Sequence, residues 1–314
     1  MLMVMLSSSA ASNAQDVHIA QIQEMNTWYN PALKTNKVSQ THISFRSVNY
    51  PNIIAYTSKA ISIELPLTPR NTDVTDITPY ANLAAGIYAD NSKDGSLSAS
   101  TAMLGFSYAL PLNGDNTYFA AGFQANYSFN RIGQGTFGYF PEWFDEHGAV
   151  GAATRLDPYQ SGYSFGYFTA GAGAAVFHNG ESNQWYAGGS IRHFNHPYTE
   201  WNRSFRLESN NGIQAGYTTA VSNTSAIGGY TNLSWQAGDH EYFFGAFYTR
   251  NLDDSADYKI TGGIGYRSGD ALFPNLALTF KRSRFSFYYE VNLPGTTYSG
   301  YKRRAFAFCY RLLL

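Results

Sequence analysis

This chain is short of charge. Lys, Arg, Asp and Glu together make up 14% of its 314 residues, where an ordinary soluble domain carries about a quarter. So sparse a coat would struggle to keep a large domain in water, whereas a surface turned to lipid has no such need. The chain also lacks any apolar run of about 18 residues, which excludes a membrane-spanning helix, and its mean hydropathy is only −0.29. A net charge of −1 leaves no basic footprint, which argues against nucleic acid as a partner. The lone cysteine, Cys309, has no partner for an internal disulfide, and a single thiol does not make a metal site. No helical domain, linker or low-complexity tract interrupts the chain, which reads as one domain.

What the chain has in abundance is aromatic side chains, 17% of all residues, with 25 Tyr and 22 Phe. Their placement is regular. In Thr117–Asn130, TYFAAGFQANYSFN, residues Phe119, Ala121, Phe123, Ala125, Tyr127 and Phe129 share one face at a period of two. Tyr118, Ala120, Gly122, Gln124, Asn126, Ser128 and Asn130 share the other. Strand side chains alternate in this way, whereas helical geometry would scatter the phenylalanines around a cylinder. A whole chain of such segments predicts an all-β fold, a transmembrane antiparallel β-barrel with lipid outside and a small or polar interior.

The pattern predicts fourteen strands: Gln40–Tyr50, Asn52–Leu65, Tyr80–Asp90, Ser96–Leu110, Thr117–Asn130, Tyr163–His178, Gln184–His193, Gly212–Val221, Ser225–Gln236, Glu241–Arg250, Tyr258–Arg267, Asn275–Lys281, Arg284–Leu293 and Tyr301–Leu314. The even number suits a single-chain bacterial barrel. The last strand puts Phe306, Phe308, Tyr310 and Leu312 on the lipid face and Cys309 inward, as a small filler. Short links near 113–116, 179–183 and 222–224 contrast with long inserts at 133–162 and 195–209. Short turns of such barrels face the periplasm and long loops face outside. The two inserts lie one hairpin apart, so they are expected to rise on the same side.

Ahead of the barrel, which spans 38–314, come two further pieces. Residues 1–14, MLMVMLSSSAASNA, are apolar and then small, the latter part of a secretory signal, with cleavage expected after Ala14. Residues 15–37 follow no two-residue alternation and contain Pro31, which argues against a central strand. They are expected to form an irregular linker or a plug in one end of the barrel, with Trp28 and Tyr29 anchored against the wall.

Three stretches resemble one family. Gln15–Ala32 has an acidic residue and a short aromatic stretch ending in Asn30-Pro31-Ala32. Trp185–Pro197 carries Gly188, Ser190, His193, Asn195 and Pro197 in a strand-and-turn pattern. The end, from Phe285 to Leu312, is similar to a closing hairpin. Together they resemble the PorP/SprF outer-membrane proteins of the Bacteroidota type IX secretion and gliding apparatus. The resemblance implies a non-enzymatic outer-membrane component of protein secretion, working with periplasmic ring or lipoprotein subunits or with the C-terminal domain of secreted surface cargo. It implies neither catalysis nor a cofactor.

Other clusters have a sharp reading and a plain one. Glu142, Asp145, Glu146 and His147 suggest acid–base work, but simple loop polarity accounts for them. His178, His193 and His196 offer imidazoles to a metal, but strand-end hydrogen bonding explains them more simply. Ser190 near His193 evokes a lipid hydrolase, yet serines are common here. Lys281, Arg282 and Arg284, with Lys302, Arg303 and Arg304, suit acidic partners or lipid headgroups at the membrane edge, or snorkelling cations. The candidate partner-contacting residues are Trp28, Tyr29, Asn30, Pro31, Trp143, Phe144, His193, His196 and Trp201. The alternative function is an outer-membrane channel for small or hydrophobic solutes.

Overall fold

The structure is a computed structural model, and it describes residues 22–49, 55–68, 76–95, 97–112, 116–132, 144–145, 148–149, 163–199, 206–293 and 304–314. Among them, fourteen strands close into one antiparallel barrel. In chain order they are β1 (Gln40–Asn49), β2 (Tyr56–Leu67), β3 (Tyr80–Ser92), β4 (Leu97–Leu112), β5 (Thr117–Ile132), β6 (Tyr163–Asn179), β7 (Asn183–Arg192), β8 (Asn210–Ser222), β9 (Ser225–Gln236), β10 (Asp239–Asn251), β11 (Tyr258–Arg267), β12 (Ala271–Phe280), β13 (Ser283–Asn292) and β14 (Arg304–Leu313). Each pairs with its sequence neighbours, and β1 meets β14 from Gln40↔Leu313 to Asn49↔Arg304. Closure matters physically, because an open edge in hydrocarbon would leave backbone polar groups unpaired. A separate pairing of Phe144–Asp145 with Gly148–Ala149 stands apart from the barrel.

The expected strands are all present, with shifted ends. Tyr301, the expected start of the last strand, lies outside the described residues; β2 starts at Tyr56 rather than Asn52, and β12 at Ala271 rather than Asn275. The last shift has a visible cause. Pro274 sits within β12, opposite Ile264 of β11, and the pairing of β12 with β13 skips from Leu272 to Asn275. A proline has no N–H for the ladder, so the strand continues past a local gap that reads in sequence as a strand end.

The two faces of β5 sort as their alternation predicts. Tyr118, Ala120, Gly122, Gln124, Asn126 and Ser128 are buried, while Phe119, Ala121, Phe123, Tyr127 and Phe129 are exposed. Cys309 points inward on the same face as Ala305 and Ala307 and is buried with them. The interior is less uniformly small or polar than expected. Tyr118 stacks on Phe177 and meets Tyr80 edge-on in one cluster, and Phe243 stacks on Tyr230 and meets Phe273 at a tilt in another. A barrel this wide leaves space that small side chains alone would not fill.

Successive antiparallel strands alternate their exits. The connections 133–162 and 193–209 therefore leave from one end. The start of β1, the end of β14 and the links 113–116 and 223–224 lie at the other. The same rule separates two basic groups that sequence had placed together at a membrane edge. Lys281 and Arg282 turn from β12 into β13, whereas Arg304 opens β14 at the opposite end. Lys302 and Arg303 lie outside the described residues.

Candidate functional site

Inside the barrel lies the stretch that follows no strand period. Ile22–Glu24 form one 3-10 turn and Asn26–Tyr29 a single helical turn, after which the chain turns at Pro31-Ala32 and bends at Asn36-Lys37 before entering β1. Most of it is buried: Glu24, Met25 and Thr27 through Lys34 are all shielded from solvent. Neither turn is long enough to be stable alone. The barrel wall supplies the partners.

At the middle of the segment sits Asn30, fully buried. Its side-chain amide donates to the Gly189 carbonyl at 3.1 Å and to Gln214 Oε1 at 3.1 Å. Its Oδ1 accepts from the Ala32 backbone N–H at 2.9 Å. Gln214 in turn donates to Asn232 Oδ1 at 3.1 Å, extending the network to β9. Such proximity needs wall positions without side chains. A methyl group built on Gly173 or Gly188 would run into the Asn30 amide, one on Gly122 into Pro31, and one on Gly86 into the Trp28 ring. Trp28 also packs edge-on to Tyr88, with ring centroids 6.3 Å apart, and Arg192 lies over Tyr29.

Ion pairs hold both ends. Lys34 Nζ lies 3.1 Å from Glu64 Oε2, with both side chains at most 3% exposed. Glu64 also accepts from Thr27 Oγ1 at 2.7 Å and from Gln40 Nε2 at 2.6 Å. At the other end, Glu24 Oε1 accepts from Arg284 Nε at 2.9 Å and Ser286 Oγ at 3.3 Å, and its Oε2 lies 3.4 Å from Arg311 Nη1. Burial pushes the Glu24 carboxyl up, but Arg311, Arg284 and His42 outweigh it and hold the group down at about 2. Burial lowers the Lys34 ammonium's pKa, and Glu64 opposes the shift. Charges left this deep without partners would cost several kcal/mol (roughly) each.

The residues singled out in sequence fall into two groups. Trp28, Tyr29, Asn30 and Pro31 come together here, and what they touch is the chain's own wall. Each is buried. His193 and His196 stand at the far end, after β7, both with positive φ. Their loop continues the wall: Asn195 Nδ2 donates to the Phe168 carbonyl at 2.9 Å, and Asn195 Oδ1 accepts from the Ala170 N–H at 3.0 Å. Phe144 belongs to the short separate pairing, and Trp143 and Trp201 lie outside the described residues. His178 is at the opposite end of β6 from this loop, bonded to Thr117 Oγ1 at 2.9 Å. The three histidines therefore do not form a cluster.

Sequence reading passed over the residues that fasten the segment. Arg284 was grouped with cations at the membrane edge, yet it points inward to Glu24. The overlooked signal is parity. Glu64 shares the inward face of β2 with Ser58 and Ser62, and Arg311 shares that of β14 with Cys309. Charges on a lumenal face in so uncharged a chain need a partner.

Among the described residues, Glu24, His42 and Cys309 bring potential metal-ligand atoms within 4.8 Å of one another. The two guanidiniums on Glu24 make this a poor place for a cation, because they repel it and already hold the carboxylate. Ser190 Oγ, read in sequence beside His193, accepts from Gln214 Nε2 at 3.3 Å.

A family model described as "Type IX secretion system membrane protein PorP/SprF" matches residues 11–311. A comparison with functionally characterised proteins finds no match. Among solved structures, the chain is similar to a Pseudomonas aeruginosa FadL homologue, with TM-score 0.54 and 8% identity over 90% of this chain and 91% of the other. It is also similar to the monoaromatic hydrocarbon channel CymD, with TM-score 0.53 and 12% identity over 93% of each chain. The Pseudomonas putida toluene transporter TodX gives TM-score 0.51 at 7% identity, over 95% of this chain and 94% of that one. At these identities the likeness concerns the barrel fold alone.

Proposed function

This chain belongs to the PorP/SprF family of type IX secretion membrane proteins, and from that premise we propose that its outer-membrane barrel is a docking component rather than an open pore. The observation that carries the reading is the occupied lumen. Asn30, with no exposed surface, is clamped between strands on one side of the barrel, while Glu24 and Lys34 are tied by ion pairs to others. A barrel so filled is suited to holding a position in the membrane while its ends meet other proteins. In this reading the end bearing the start of β1, the end of β14 and the short links faces the periplasm and meets secretion-ring or lipoprotein subunits. The end bearing 133–162 and 195–209, with Trp143, Phe144, His193, His196 and Trp201, meets the C-terminal domain of secreted cargo. Residues 1–14 act as the export signal. No step of this role requires catalysis.

The test is gentle detergent extraction of the C-terminally tagged protein from its native membrane, followed by mass spectrometry, with and without each long loop. Co-purification of secretion subunits with the intact protein, and loss of cargo from the loop deletions, is the expected result. A barrel that leaves the membrane alone would sink the docking reading. The channel reading draws on the hydrocarbon channel and the toluene transporter that share the barrel fold. It predicts stepwise current from the intact protein in a planar bilayer, where the docking reading expects little.

A further inference from the structure

One row of the inner wall carries two guanidiniums and an imidazole, and Glu64 on the adjoining β2, whose carboxylate acts on that imidazole, is already paired with Lys34. Arg284 on β13 is directly opposite Arg311 on β14, and Arg311 is directly opposite His42 on β1. All three lie on the inward parity of their strands. Like charges facing each other across paired strands are destabilising, and guanidiniums do not shed their charge. The strands therefore create a repulsive row, and the group that meets both guanidiniums is Glu24, 260 residues away in the chain from Arg284.

Glu24 does not saturate the row. Its Oε1 takes Arg284 and the Ser286 hydroxyl, but its Oε2 has no hydrogen-bond partner and lies 3.4 Å from Arg311. Arg311 Nε and both ring nitrogens of His42, a residue 2% exposed, are likewise buried without hydrogen-bond partners. The wall thus turns donors from β13 and β14 on one carboxylate, with the His42 ring beside it, which is the arrangement of an anion seat. The nearby Cys309 thiol adds no charge that would disfavour an anion.

We propose that Arg284, Arg311, His42 and Ser286 form a carboxylate-binding seat, which the chain fills with its own Glu24 and which accepts a carboxylate from solution when Glu24 is removed. The seat belongs to the barrel wall, so it stands or falls separately from the docking role.

The experiment uses the full chain carrying Glu24→Ala, purified in detergent. Its thermal unfolding is followed while sodium acetate is titrated in against sodium chloride at matched ionic strength. The expected result is a lowered Tm that acetate raises saturably, recovering at least half of the loss, while chloride does not. Adding Arg311→Gln to the variant should abolish the acetate effect. Absence of an acetate effect, an equal effect of chloride, or rescue that persists in the double variant would overturn the proposal. If Glu24→Ala does not fold by itself, refolding yield from urea becomes the readout. Recovery in acetate but not chloride supports the seat, and failure in both counts against it.

Discussion

The lumen and the far end of the barrel each join a carboxylate to a base, and the two places could hardly differ more in consequence. Glu24 and Arg284 meet at 2.9 Å with side chains 3% and 18% exposed. His196 and Glu208 meet at 3.7 Å with side chains 40% and 57% exposed. Water screens the second pair and leaves both side chains mobile, so the pair contributes little. The first pair has little water to fall back on, so removing one partner strands the other. Sequence treats all these residues alike, as scattered charges in a sparsely charged chain. Only the wall tells them apart.

The largest break in this contrast should come from Glu64→Ala, which leaves the Lys34 ammonium buried without its carboxylate. A loss of about 3–5 kcal/mol in seating the segment follows from removing one member of a buried pair. Trypsin reads it directly: cleavage after Lys34, suppressed in the intact protein, should become rapid while the barrel stays folded. Unchanged protection would show that the ion pair does not hold the segment.

Next comes the amide clamp. Asn30→Ala removes the donor to the Gly189 carbonyl and Gln214 Oε1, at a cost of about 1–3 kcal/mol for stranded buried groups. Gly173→Leu attacks the same point from the wall, because its first side-chain carbon would overlap the Asn30 amide. Both should speed hydrogen exchange of residues 27–33 while leaving the strands unchanged. Equal exchange in the Gly173 variant would mean that the close approach is not needed.

A smaller effect concerns pH. Glu24 titrates near 4.5 when free and about 2 when seated. A carboxyl whose folded pKa is depressed stabilises the seated state fully above its free value, and that stability is lost as pH falls toward the seated one. Segment release monitored by proteolysis with an acid-tolerant protease should therefore rise between about pH 4.5 and 2 and should flatten in Glu24→Gln. The least effect belongs to the exposed pair. Glu208→Gln should change stability by no more than about 0.5 kcal/mol, and a larger loss in thermal unfolding would erase the contrast between the two pairs.

How legible was all this? The strands were readable because a period of two writes itself into side-chain type wherever one face meets lipid and the other a lumen. Phe119, Phe123 and Tyr127 against Gln124 and Asn126 suffice to show it. β12 was misjudged at its start because Pro274 looks like an end, and only pairing with β11 shows the strand carrying on. The described part of the segment, 22–37, is recognisable in sequence as something other than a strand, and its aromatic residues stand out. The residues that fasten it did not. Glu64, Arg284 and Arg311 are ordinary letters on strands, and their partners are distant along the chain.

By itself, then, the amino-acid sequence determined the alternation, the number of strands and which face of each turns outward, because these depend on a residue and its immediate neighbours. The meeting of Glu24 with Arg284 and Arg311, of Lys34 with Glu64, and of Asn30 with the bare backbone at Gly173 and Gly188 was decided only by closing the barrel. Closure brings β1 beside β14 and encloses a low-dielectric interior, where an unpartnered charge is costly and a vacant wall position becomes a place to dock.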